Sequence, residues 1–272
     1  LGEPILKVPP VFLTVDEVSA GLKDLERQFL ERNDRRGVFV STYVLSTQEI
    51  VRQLNEHVFD DPSWVEDCLV AFANLYRQAL LDYEYGRFSS VPPAWRRALA
   101  ASHTGSVTVV VDLLLGINAH INNDLAYAIV SAGLDDERAT HYRDFMRVND
   151  AMRRATDRAQ IKLARAYSAE LDVIDGLSRL DEGLTTILMH DVRARAWQSA
   201  IALADAPPLA DRRVETEIEE RADRMAEIIL LPNRLRWETR RLMSPQAPSA
   251  QSVTDAPANK RGPRRKEKTR AL

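Results

Sequence analysis

Between Leu113 and Tyr127 the chain sets three Asn, one His and one Asp into an otherwise apolar run, Leu-Leu-Leu-Gly-Ile-Asn-Ala-His-Ile-Asn-Asn-Asp-Leu-Ala-Tyr. A helix that is apolar nearly all round is buried nearly all round. Its polar groups are then desolvated and must be paired, at about 1–3 kcal/mol for each one left without a partner. Such a segment needs a protein built around it, with other elements placed to answer each polar side chain.

The rest of the sequence supplies those elements as helices. Glycine is scarce, at 10 of 272 residues, and 45% of the chain is hydrophobic, enough for a sizeable core. The stretches between Pro and Gly are rich in Ala, Leu, Arg, Glu and Asp, and no run of alternating β-branched residues occurs. Thr14-Val-Asp-Glu17 reads as a capping box opening a helix over about 15–33, with Val18, Leu22, Leu25 and Phe29 on one face. A second helix is expected over 38–57. Asp61-Pro62 caps a third that runs to about Tyr85, where Gly86 stops it. Pro92-Pro93 starts a short fourth, the central helix spans about 107–131 and ends at Gly133, and a long one follows from Glu137 to about Leu180, bent near Tyr167 or broken at Gly176. Further helices are expected over 181–204 and 211–243, the last kinked or interrupted by Pro232. The fold class is therefore all-α, an irregular multi-helix bundle with a buried central helical hairpin around Gly133. We divide the chain into an N-terminal extension (1–13), a single helical domain (14–244) and a disordered basic tail (245–272).

Charge and cysteine content narrow the function classes. The net charge is −3, but the segment from Gln251 to Leu272 carries +5, leaving −8 on the rest. An acidic body argues against a specific nucleic-acid surface, which needs basic groups facing phosphates. The single cysteine, Cys68, excludes an internal disulfide and a cysteine-based zinc cluster. The apolar run Val107–Leu115 is interrupted by Asp112 and is too short for a membrane span. With no basic and apolar leader at Leu1-Gly-Glu-Pro4, the expected location is cytoplasmic.

At a spacing of four, Asp112, Gly116, His120 and Asp124 share one face of the central helix, with Asn123 and Tyr127 beside them; Asn118 and Asn122 form a separate strip. His120 and Asp124 form an imidazole–carboxylate pair, expected to orient the ring and raise its pKa. Gly116 leaves room for a ligand or a second helix. The next helix begins with Arg138, His141, Tyr142, Arg143, Asp144 and Phe145. In a hairpin, its first turns meet the end of the central helix, bringing His141 near Asp124 or Tyr127. His120, Asp124, His141 and Asp144 then supply two nitrogens and two carboxylates, a set suited to a divalent metal such as zinc, manganese or iron.

Two functional readings follow. In the first, the protein is an enzyme or binding protein for a small, partly apolar molecule, with His120 as general base or ligand, Asp124 orienting it, and Asn118, Asn122 and His141 polarising the substrate. In the second, it is a non-catalytic helical interaction module: the stripe is a hydrogen-bond network fixing helix register, and the Arg/Glu-rich helix from Val214 to Arg241 is the partner surface. Elsewhere, His103 reads as a helix-end residue and His190 as solvated, while Asp60-Asp61 with Glu66-Asp67 lacks the spacing of an isoprenoid-enzyme motif. No glycine-rich phosphate loop or Gly-x-Ser-x-Gly elbow is present.

The string Leu115-Gly-Ile-Asn-Ala-His-Ile-Asn-Asn-Asp-Leu125, with Tyr142-Arg-Asp-Phe145 and Val148-Asn149, resembles a bacterial family of helical proteins classed as a domain of unknown function. The likeness covers about Val38 to Leu242. It implies a helical fold and no activity. The chain departs from the expected pattern at Ala126-Tyr127, where an apolar or proline-containing continuation would stand.

Overall fold

The computed structural model describes residues 6–134, 137–167, 182–207 and 211–243. They form α1 (Val15–Glu31), α2 (Gly37–Asn55), α3 (Pro62–Glu84), α4 (Pro93–Thr104), α5 (Val109–Asn118), α6 (Leu125–Ser131), α7 (Arg138–Ala166), α8 (Glu182–Asp205) and α9 (Asp211–Met243), with a 3-10 turn at Phe88–Ser90. A π-helical segment, Ala119–Asp124, joins α5 to α6. Contacts divide the chain into one unit of residues 1–234 and a second of 235–272. The helix expected to run from Glu137 to about Leu180 ends at Ala166 with Tyr167 as its C-cap, where a bend was expected; Gly176 and the expected tail, 245–272, lie outside the described residues.

The helix ends follow local chemistry. The Thr14 hydroxyl accepts from Glu17 N–H at 3.2 Å, and the Glu17 carboxylate reaches back to Leu13 N–H at 2.6 Å, one residue earlier than in a standard capping box. Asp61 accepts from Trp64 N–H at 3.1 Å, with Pro62 opening α3. Gly133 takes φ +94° just past α6, a region that side chains with a Cβ disfavour. α9 runs continuously from Asp211 to Met243, so the interruption expected at Pro232 does not occur.

The N-terminal extension is packed where it is described. Leu6 and Phe12 are buried, the Asn74 side chain bonds both backbone groups of Phe12 at 2.9 and 2.8 Å, and Arg77 donates to Pro9 C=O at 2.7 Å.

The central helix is the axis of the core. On α5, Asp112 is paired with Arg35 at 2.6 Å and accepts from the Ser102 hydroxyl at 2.9 Å, tying α5 to the α1–α2 loop and to α4. A Cβ on Gly116 would stand 2.7 Å from the Phe39 ring, so the room this glycine leaves is taken by α2. α6 packs against α3 and α8, whereas α7 lies chiefly along α2. The α2–α7 register is antiparallel: Val38 clusters with Leu163 and Tyr167, Leu45 with Ala155 and Ala159, and Glu49 pairs with Arg154 at 2.6 Å. The helix after Gly133 therefore finds its main partner in α2. That choice decides which residues meet its first turns.

Candidate functional site

His120 lies in the π-helical segment with 2% of its surface exposed. Its Nδ1 is 3.0 Å from Asp124 Oδ2, which also accepts from Trp95 Nε1 at 2.7 Å, while Oδ1 accepts from Asn123 Nδ2 at 2.9 Å. Trp95 and Asn123 can only donate through these nitrogens, so Asp124 is filled with donors, and the pattern assigns the His120 proton to Nδ1. Nε2 is then left with its lone pair. It is buried and has no hydrogen-bond partner.

Aromatic rings surround this imidazole. Phe72 of α3 stacks on it at 3.5 Å between centroids, and Tyr43 (4.6 Å), Phe39 (5.4 Å), Trp95 (5.9 Å) and Tyr76 (6.2 Å) are arranged around it from α2, α4 and α3. The phenol oxygens of Tyr43 and Tyr76 are also buried without partners, and burial raises both of their pKa values. The cage corrects one expectation. Burial, which disfavours the imidazolium, outweighs the opposing pull of Asp124, so the His120 pKa lies below its ordinary value of 6.5 instead of above it.

This direction has a sign that can be measured. Below pH 6.5 the unfolded chain takes up a proton at His120 that the folded protein does not, so folding loses stability as pH falls from 6.5 through the folded pKa. Melting curves of wild type and His120→Gln between pH 7.5 and 5 are expected to diverge in that window, with the shallower acid slope in the variant. Parallel slopes would mean that the imidazole is as well solvated in the folded as in the unfolded state, and a steeper acid slope in the variant would mean that it is held charged.

Beside the cage, at the junction of α2, α3, α6, α7 and α8, is a cavity of about 50 Å³. Tyr43 and Phe72 line it as well as packing on His120, and so form the shared wall. Most of its other lining is apolar, with Leu69, Leu125 and Val148 among it. Cys68 also faces the cavity, its thiol pushed up to about 12 by burial and so held protonated.

The remaining expected site residues are elsewhere. Asn122 Nδ2 donates to Asn118 Oδ1 at 2.8 Å, and Asn118 Nδ2 donates to Ala222 C=O at 2.9 Å, so this strip fastens the central helix to α9. His141 stacks face to face on Trp64, 4.6 Å between centroids, and its Nε2 is 3.2 Å from Asp61. Asp144, fully buried, accepts from the backbone N–H groups of Asp60 and Asp61 at 2.9 and 2.7 Å and from Arg147 at 2.6 Å. With α7 held along α2 and beside α3, its first turns meet the loop before α3 and not the His120–Asp124 pair.

The ligand set His120, Asp124, His141 and Asp144 is thus not gathered at one point. Among the described residues, the group of His, Cys, Asp and Glu side chains close enough to share an ion is Asp61, Glu137 and His141, with ligand atoms within 4.8 Å of one another. Asp61 is partly committed, since the Ser63 hydroxyl and Trp64 N–H lower its pKa along with His141. His103 is exposed in the last turn of α4, and the His190 side chain lies outside the described residues.

Sequence reasoning missed the aromatic cage, the Asp61–Glu137 partnership of His141, and Arg193. Arg193 had a signal: it stands four residues before Trp197 and therefore shares that residue's buried face. Among the described residues no helix is long and apolar enough to cross a membrane. No curated protein and no solved structure matches the chain. Residues 15–232, from the start of α1 into α9, match the model of the family of unknown function DUF5995, and the chain belongs to that family.

Proposed function

We propose that this protein binds a small, largely apolar molecule against the π-helical segment, with His120 as its hydrogen-bond acceptor or general base and Asp124 holding the imidazole in place. The observation that carries this reading is the bare, buried Nε2 of a neutral His120 behind two rings, Tyr43 and Phe72, that also line a cavity. An oriented neutral imidazole is the arrangement that accepts a proton from a hydroxyl or an activated C–H, a contribution typically worth about 10²–10⁴-fold in rate. π-helical turns recur at functional sites, where local geometry is held at a cost to the helix. Asn118 and Asn122 are given no role in this chemistry, since the Asn118 amide is spent on Ala222 of α9 and the Asn122 amide on Asn118.

Nitrogen NMR of the histidine side chains tests the reading. The His120 resonances, assigned by their loss in His120→Gln, are expected to show an Nδ1–H tautomer with an unprotonated Nε2. Hydroxyl-bearing neutral fragments of a few heavy atoms are expected to shift the Nε2 signal saturably. If Nε2 responds to none of them, the histidine is a packed core residue. The competing reading as a helical interaction module is favoured by one observation, the exposed Ile228 and Leu231 at i,i+3 on α9. It predicts that His120→Gln lowers the melting temperature without changing the binding of any small molecule.

A further inference from the structure

A buried cation faces the cavity with no anion to match it. Arg193 on α8 is 3% exposed; its Nε donates to Asn149 Oδ1 at 2.6 Å, its Nη2 donates to Phe145 C=O at 3.1 Å, and its guanidinium lies over the Phe145 ring at 4.3 Å. These partners are neutral, and among the described residues no carboxylate is paired with it. Burial lowers its pKa to about 10, so it keeps its charge at neutral pH. Buried charges are ordinarily paired. The cavity that Arg193 lines is otherwise almost wholly apolar.

We propose that Arg193 is the anchor for a short-chain monocarboxylate, its carboxylate on the guanidinium and its hydrocarbon end against Leu69, Leu125 and Val148. A guanidinium matches a carboxylate in geometry and charge. Size sets the class: a cavity of about 50 Å³, at roughly 10–15 Å³ for each water-sized group, holds about three to five such groups. Propionate has that size. The assignment deepens the small-molecule reading above, since Tyr43 and Phe72 separate this cavity from His120, but it stands on Arg193 and not on the imidazole.

Titration calorimetry of the full chain with propionate, acetate, butyrate, propionamide, n-propanol and inorganic phosphate tests it. Propionate is expected to bind saturably, and the isosteric amide and alcohol, which lack the charge, at least tenfold more weakly. Arg193→Gln is expected to weaken propionate at least tenfold. Val148→Phe, which fills the apolar end and leaves Arg193 in place, is expected to abolish binding and serves if Arg193→Gln does not fold. Propionate binding that survives both substitutions, or no saturable binding of any of the acids, overturns the proposal. So does phosphate binding as tightly as propionate, because the apolar end would then contribute nothing. The two readings fail separately. Acids that bind through Arg193 while neutral fragments never move His120 Nε2 remove the imidazole reading alone; fragments that move Nε2 while acids do not bind remove the anion site alone.

Discussion

Asp124→Ala is expected to destabilise the protein by about 3–9 kcal/mol, since three buried donors lose their acceptor at about 1–3 kcal/mol each. The donors are Trp95 Nε1, His120 Nδ1 and Asn123 Nδ2. With domain stabilities of about 5–15 kcal/mol, this is a large share of the whole. Urea unfolding followed by circular dichroism measures it. Asp124→Asn keeps one carbonyl oxygen and is expected to cost less, about 1–3 kcal/mol, because one or two of the donors retain an acceptor. The comparison also reads the site, since an amide at position 124 can donate to His120 Nδ1 as well as accept from it, so the proton is no longer confined to Nδ1. A loss below about 1 kcal/mol for Asp124→Ala would show that water replaces the carboxylate and that the cage is not dry.

Asp144→Ala is expected to cost about 3–5 kcal/mol, for a different reason. Its carboxylate closes the loop before α3 onto α7 by accepting two backbone N–H groups, and it holds Arg147, which also reaches Asp60 at 2.7 Å. Removing it strands two amides and part of a charged network, and breaking such a network from one side is costly. Hydrogen exchange should locate the damage, with the amides of Asp60 and Asp61 losing protection first. The wild type is expected to show the same stability with and without a chelator, as a fastening of this kind requires. If a chelator reproduced the loss in wild type, Asp144 would be acting through a metal ion.

The helices were legible because their ends are written locally. Thr14, Asp61-Pro62 and Gly133 carry their own capping chemistry and needed no knowledge of the rest of the chain. The His120–Asp124 pair was legible for the same reason, both residues lying within one helical segment. What surrounds the pair was not. The cage residues Phe39, Tyr43, Phe72, Tyr76 and Trp95 come from three separate helices, and periodicity states which face is buried without naming what it is buried against. The proposed metal set failed at that step, since it assumed that helices adjacent in sequence are the ones that pack, and α2 intervened. The direction of the His120 pKa failed likewise, because the number of rings around an imidazole is a tertiary property.

A plain helix puts Asp112, Gly116, His120 and Asp124 on one face; the π-helical segment at Ala119–Asp124 was not read from the sequence. Asp112, Gly116, His120 and Asp124 keep a spacing of four, which on a 3.6-residue helix drifts by roughly 40° at each step. A π turn takes in one more residue and turns α6 by roughly 100° relative to a straight continuation of α5. The central helix thus presents its two halves in different rotational phase: α5 answers Arg35 and Ser102, and α6 lies against α3 and α8. Deleting a single residue between Ala119 and Asp124 would restore a plain α-helix and swing one half out of phase with its neighbours. The same length of chain would still be helical, yet no single rotation could seat both halves, so the segment works as a gear fixing the relative phase of the two ends of the core.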